Sequence, residues 1–272
     1  MKKTGVLLFI VILFTILFPF ISYAQEALKV GFWDMPPYQF KNERGELDGY
    51  LPELAAEIFK NLNIKYTSKL YPYARGQELI KEGEIDCLFI GSITTERKKF
   101  ALFPEESCLV SHWGLWILKK NKDKLKYEKF EDLKGKRIGS VRGYYIYPEL
   151  KKYIEENSKI RYVREEEINY KKLINDRVGY IYSEYNVGLW QAKKLSIPEE
   201  NLHFISTRLF ISCVSYPYFS KKIYEKNPEF IKKVSEAMKK IRLSGKKQEL
   251  FDKWGLKEIN YDYSKINWIY LP

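Results

Sequence analysis

The stretch IDCLFIGSITTERKKFALFPE, residues 85–105, decides how this chain is read. An apolar run from Ile85 to Ile90 ends at Gly91, which is the pattern of a buried strand stopped by a glycine. Ser92, Thr94 and Thr95 then crowd together, and Arg97 follows. A short helical turn through TERKK would aim backbone N–H groups at the end of that strand. Arg97 adds a planar fork of donors that matches a carboxylate or phosphate. A structural reading competes: Thr94 or Thr95 caps the turn, and Arg97 pairs with a nearby acid such as Glu105. The spacing alone leaves both open.

Working outward, strand and helix signals alternate. LKVGFW (28–33) reads as a strand, and LPELAAEIFKNL places Leu51, Leu54, Ala55, Ile58, Phe59 and Leu62 on one helical stripe. IKYTSKL (64–70) alternates as a strand, RGQELIKEGE is a short helix, and IDCLFI is the buried strand. This β-α-β-α-β order predicts a parallel sheet covered by helices. The plan then restarts. SHWGLWILKK, KRIGSV, IRYV and VGYIY read as strands, YPELKKYIEEN and EINYKKLIN as helices, with a further helix from about Glu184 to Leu195. NLHFIS and FISCVSY are strands, and PEFIKKVSEAMKKIRLSG and KKQELFDKWG close the chain as helices. Two α/β units of similar plan predict a ligand cleft between them, since open α/β sheets bind beyond the carboxyl ends of their strands.

The first 24 residues stand apart. A basic start (Lys2, Lys3), an apolar run from Val6 to Ile21 and small residues at Ser22 and Ala24 predict an export signal cleaved after Ala24. The run is short for a membrane span and Pro19 interrupts it. Removing it takes the net charge from +12 to +10. The lysines are dispersed among acids, as in KKNKDKLKYEKFEDLKGKR (119–137), so this charge reads as a solvated face and not as a nucleic-acid patch. The three cysteines leave at least one free thiol, and Cys87 and Cys213 sit in apolar runs that suit buried, inert thiols. A Cys87–Cys108 bridge stays open. His112 and His203 are isolated, so no metal site and no cofactor is expected.

GSITTERKKFALF, with GEIDCLFI before it, resembles the extracellular solute-binding proteins of family 3, the polar amino-acid receptors of bacterial ABC importers. LKVGFWDMPPYQFKNERGELDGYLPELAAEIFKNL is similar to that family's first strand, aromatic loop and first helix. FEDLKGKRIGSVRGYY is similar to the opening of its second lobe, and PEFIKKVSEAMKKIRLSGKKQELFDKWG to its closing helices. The resemblance covers about residues 28 to 256. It implies an α/β, type II periplasmic-binding-protein fold, with lobe 1 formed by 25–110 and 218–272 and lobe 2 by 111–217. The chain would cross between lobes near 108–113 and 208–217. It further implies a periplasmic, monomeric receptor that closes on a small-molecule ligand and meets an ABC permease in the inner membrane.

In the family, the Ser and Arg of this motif grip the ligand's carboxylate, which maps onto Ser92 and Arg97, with Thr94 between. The chain departs from the family in its second lobe. A small hydroxyl residue is replaced by Tyr144 and Tyr145 after Gly143. The usual ammonium-accepting Asp is replaced by Glu184, which either meets an ammonium or caps the following helix. Trp33, Tyr38, Tyr73 and Trp113 follow strand ends and are cleft candidates, whereas Trp254 reads as core. Arg75 reads as an inter-helix salt-bridge residue ahead of a second anion contact, and Asp34 as an Asx turn holding its loop ahead of an acceptor for an ammonium. Two other functions fit the same fold: a cleft enzyme of dehydratase type, for which Glu184 is the one candidate acid, and a sensory module for a separate membrane partner.

Overall fold

The structure, a computed structural model, describes residues 26–144, 146–205 and 211–259. The predicted export signal and Tyr145 lie outside these residues, as does the start of the second predicted crossing. The first unit follows the sequence plan. Strand β1 (Leu28–Phe32) pairs in parallel with β4 (Tyr66–Leu70) on one side and with β5 (Cys87–Gly91) on the other. Helix α1 (Tyr50–Asn61) and helix α2 (Tyr73–Glu82) make the crossovers. On α1 the stripe Leu51, Leu54, Ala55, Ile58 and Phe59 is buried, as its 3.6-residue spacing demands. Between β1 and α1 the chain adds a hairpin that the periodicity did not announce, β2 (Phe40–Lys41) with β3 (Leu47–Asp48). Its turn is held by Asn42, whose side-chain oxygen accepts the N–H groups of Arg44 and Glu46.

Helix α3 (Thr95–Lys98) and strand β6 (Ala101–Leu102) lead to β7 (Leu109–Leu118). The second unit holds β8 (Arg137–Val141), α4 (Pro148–Asn157), β9 (Lys159–Val163), α5 (Glu166–Ile174), β10 (Tyr180–Glu184), α6 (Tyr185–Lys194) and β11 (Leu202–Ile205). Strand β8 pairs in parallel with β10 and β9. The chain returns along β12 (Ile211–Ser220), and α7 (Lys221–Lys226), α8 (Phe230–Leu243) and α9 (Lys246–Lys253) pack back on the first unit. There Lys253 Nζ reaches Glu53 on α1 at 2.7 Å. Trp254, just after α9, is partly buried against the core and meets Phe40 edge-on at 5.9 Å.

The strands of the β-α-β-α-β order pair in parallel as expected, and the sheet adds antiparallel strands that this order did not announce. β7 and β12 run antiparallel to each other from Leu109↔Ser215 to Trp113↔Ile211. They then part: β12 continues onto β5, and β7 onto β10 and β11. The resulting order is β4-β1-β5-β12-β7-β10-β8-β9. Parallel strands need long crossover helices, whereas two long antiparallel strands can carry the chain out and back side by side. This gives the two α/β lobes of a type II periplasmic-binding-protein fold, joined by a two-stranded ribbon. Cys87, Cys108 and Cys213 are all buried and free, so the open Cys87–Cys108 pairing is not formed. No helix among the described residues is long and apolar enough to cross a membrane.

Candidate functional site

The strand at the centre of the sequence reading does not end smoothly. Opposite β12, Tyr216 pairs with Gly91 and Tyr218 with Leu88, so β5 carries one more residue than its partner. This is a β-bulge, and Pro217 fits opposite it because a proline donates no ladder hydrogen bond. Ile90 takes up the irregularity with φ of 56°, a left-handed conformation that costs a β-branched residue ~1–3 kcal/mol. Gly91 follows because nothing larger fits: a Cβ there would stand 2.6 Å from the Tyr218 ring and 3.3 Å from an Arg97 nitrogen. The bulge therefore turns Ser92 and the start of α3 off the line of the strand.

Of the structural reading of the next residues, one half is realised and the other is not. Thr94 caps α3, its Oγ1 accepting the Arg97 N–H at 3.1 Å. The Arg97 side chain does not pair with Glu105, and among the described residues no carboxylate lies within ion-pair distance of it. One Arg97 Nη donates to the Ser92 carbonyl at 2.8 Å, the other to the Tyr73 hydroxyl at 2.8 Å, and Nε donates to Gln77 Oε1 at 3.4 Å. The guanidinium also stands 5.6 Å from the centre of the Tyr218 ring. Three of its five N–H donors are thereby used, and the other two meet no acceptor among the described residues. A planar cation is thus held rigidly by neutral groups with its charge unneutralised.

That guanidinium borders a cavity of about 650 Å³ between the lobes. From the sequence candidates, Ser92, Thr94, Arg97, Tyr73, Trp33, Trp113 and Tyr144 line it. The aromatics stand in edge-to-face pairs, Trp33 with Tyr73 at 4.9 Å and Trp113 with Tyr144 at 5.1 Å, one pair from each side of the cavity. Trp113 Nε1 donates to Ser111 Oγ at 3.2 Å, while Trp33 Nε1 is buried without a partner. Gln77 was not among the candidates. It lies four residues after Tyr73 on α2, the spacing that puts two side chains on one helix face, and that signal could have found it.

Tyr38 and Glu184 lie outside the cavity lining. Both are fully buried. Of the two roles left open for Glu184, the structure shows the cap. Its Oε2 accepts the Val187 N–H at 2.9 Å at the start of α6, and its Oε1 accepts the His112 N–H at 3.2 Å. Burial raises its carboxyl to about 7, against the pull of these N–H groups and of Tyr38. Burial likewise lowers His112 to about 4, with its Nδ1 3.0 Å from Ser212 Oγ. Tyr38 is met by Asn186, whose amide donates to the Tyr38 hydroxyl and to the Lys257 carbonyl, each at 3.1 Å. Tyr38 thus ties the first lobe to the second. Arg75 is a surface salt-bridge residue, 3.3 Å from Glu78 and 3.6 Å from Glu84. Asp34 makes no Asx turn, which corrects the expectation for it. The residue is exposed, and partial desolvation by its neighbours raises its carboxyl first, with Lys194 pulling it down and Glu165 pushing it up, both from the second unit.

Residues 28–257 match the sequence model of the bacterial extracellular solute-binding proteins, family 3. The chain belongs to that family. Within it, the arginine-binding periplasmic protein of Mannheimia haemolytica is 26% identical over 261 residues, or 93% of this chain and 98% of that protein. Among solved structures, the arginine-, lysine-, histidine-binding protein of Geobacillus stearothermophilus superposes with a TM-score of 0.69 at 23% identity, over 86% of this chain and 97% of that one. A histidine kinase sensor domain with similarity to periplasmic binding proteins superposes with a TM-score of 0.70 at 18% identity, over 84% and 96%. At these identities the solved structures speak for the fold. Family membership speaks for solute binding.

Proposed function

We propose that this protein is an exported, periplasmic receptor that closes on a small carboxylate-bearing ligand, an amino acid or a related solute, and delivers it to an ABC importer. The observation that carries this reading is the Arg97 guanidinium, which has donors to spare and no carboxylate of its own beside a cavity sized for a small molecule. Small-ligand sites are concave, largely apolar and furnished with a few placed polar groups, and this cavity has that make-up. The relative's name supports an amino acid as the solute. In this reading, residues 1–24 are removed after Ala24, lobe 1 comprises 25–110 and 218–272, and lobe 2 comprises 111–217. Closure turns the β7–β12 ribbon, and the ligand favours the closed state by touching both lobes. Binding without turnover is supported by Glu184: the one carboxyl the sequence put forward as a cleft acid is committed to backbone N–H groups outside the cavity lining.

The test is thermal unfolding of the mature protein against amino acids, other small carboxylates and amines. A ligand at a hundred times its dissociation constant adds about 2.7 kcal/mol, which a melting shift reads out. A shift confined to carboxylate-bearing compounds and absent in Arg97→Ala supports the reading. A shift that persists in Arg97→Ala, or one given only by amines, sinks it. The sensor-domain likeness favours a second output for the same binding event, transmission to a separate membrane partner. A pull-down with the ligand-loaded protein against permease and kinase candidates separates the two.

A further inference from the structure

Glu166 opens α5, and Tyr144 follows β8. Both therefore stand at the carboxyl edge of the second lobe's parallel strands, the edge where such sheets take ligands. Glu166 is 6% exposed, and neither carboxylate oxygen has a hydrogen-bond partner among the described residues. The polar atoms around it are in the same condition. The Asn169 amide and the Tyr170 hydroxyl on α5 belong to residues with no exposed surface and meet no partner among the described residues, and the same holds for Ser140 Oγ on β8, the strand that α5 packs against. Ser183 and Asn169 approach closely enough to favour a charged Glu166, but not in bonding geometry. Each such orphan costs ~1–3 kcal/mol, and so many together call for something that satisfies them.

Glu166, Asn169 and Tyr170 lie just outside the cavity lining, whereas Tyr144, whose hydroxyl feels the Glu166 carboxyl, lines the cavity and packs on Trp113. Burial first, then Glu166, Asp34 and Glu184, push its hydroxyl well above its usual range. Three carboxyl groups thus surround one cavity-lining hydroxyl. Lys194, paired with Glu167 at 2.8 Å, acts on Asp34, and among the described residues no basic side chain lies within ion-pair distance of Glu166. We propose that Glu166, Asn169 and Tyr170 form a second subsite, behind Tyr144, which receives the side-chain cation (an ammonium or guanidinium) of an amino acid whose carboxylate Arg97 holds. This inference rests on the Arg97 reading above. Tyr144 moves aside, and the cation donates to Glu166 and to the Asn169 oxygen. Burial, with Glu184 on β10 adding to it, raises the empty subsite's carboxyl to about 8. The free protein therefore holds a proton there at neutral pH, and an arriving cation displaces it to solvent.

Calorimetric titration of the mature protein with L-arginine and with L-citrulline, its uncharged isostere, tests this. Arginine is expected to bind on the order of a hundredfold tighter. Comparing phosphate with Tris at pH 7 should show release of about one proton per arginine and none per citrulline. Glu166→Gln should bring the two affinities within about tenfold and abolish proton release. A preference that survives Glu166→Gln, equal binding of both compounds, or arginine binding without proton release overturns the subsite and leaves the Arg97 reading standing. Failure of both compounds to bind the wild type ends the amino-acid reading, and the subsite with it. Should Glu166→Gln not fold, Tyr170→Phe keeps the ratio measurable and is expected to lower it, and the proton count needs no variant.

Discussion

The two sides of the cavity are built on opposite electrostatic plans. On the first lobe a cation is left open: Arg97 is held by a carbonyl, a hydroxyl and an amide, none of which neutralises it. On the second lobe carboxyls are shut away: Glu184 is spent on backbone N–H groups, and Glu166 is buried with no counter-charge. The difference teaches what each lobe can do before a ligand arrives. A half-buried guanidinium keeps its charge and waits for an anion. A buried carboxyl gives up its charge by taking a proton, and regains it only when a cation comes.

The comparison breaks most sharply at Arg97. Arg97→Ala should leave the fold intact and weaken a carboxylate ligand more than a hundredfold, since losing one partner of a buried ion pair costs about 3–5 kcal/mol. Wild-type affinity by calorimetry would erase the distinction between the lobes. The second lobe's carboxyls should dominate the pH profile. Their folded pKa values, about 8 for Glu166 and about 7 for Glu184, lie above the unfolded value near 4.5. The folded state then binds more protons across that window, so stability should fall as pH rises from 6 to 8, by something on the order of 3–4 kcal/mol. Denaturant midpoints for wild type and Glu166→Gln check it, the variant giving the flatter curve. Glu184→Ala should cost about 2 kcal/mol, because it removes a helix cap and strands the buried His112 N–H. An unchanged midpoint in that variant would mean water replaces the carboxylate. Tyr73→Phe should be mildest, loosening one side of the Arg97 fork and weakening binding by about 1 kcal/mol, or fivefold.

Much of the first lobe was legible because its signals are local. The α1 stripe, the apolar run into Gly91 and the Thr94 cap are each written within a dozen residues. Arg97 could be picked out because its spacing from Ser92 is short. Gln77 and Tyr218, which complete its setting, come from 20 residues upstream and from the returning strand, and no local period connects them to it. The antiparallel ribbon was hidden for the same reason. β7 and β12 each read as ordinary strands, and their pairing spans a hundred residues of chain. Asp34 was assigned a turn because Asp before a Met-Pro-Pro loop suits one; that Lys194 and Glu165 of the second unit act on its exposed carboxyl is tertiary information.

The ribbon also places a chemical clock in the molecule. Cys213 lies on β12 opposite Ser111, it lines the cavity, and burial raises its thiol to about 12. Only a thiolate reacts readily with an alkylating reagent, so in this structure the sulfur is both covered and unreactive. In the receptor reading, each parting of the lobes exposes it for as long as they stay apart. The rate at which Cys213 is modified then counts openings, and a bound solute, by occupying the same cavity, should slow the count without any label having been introduced.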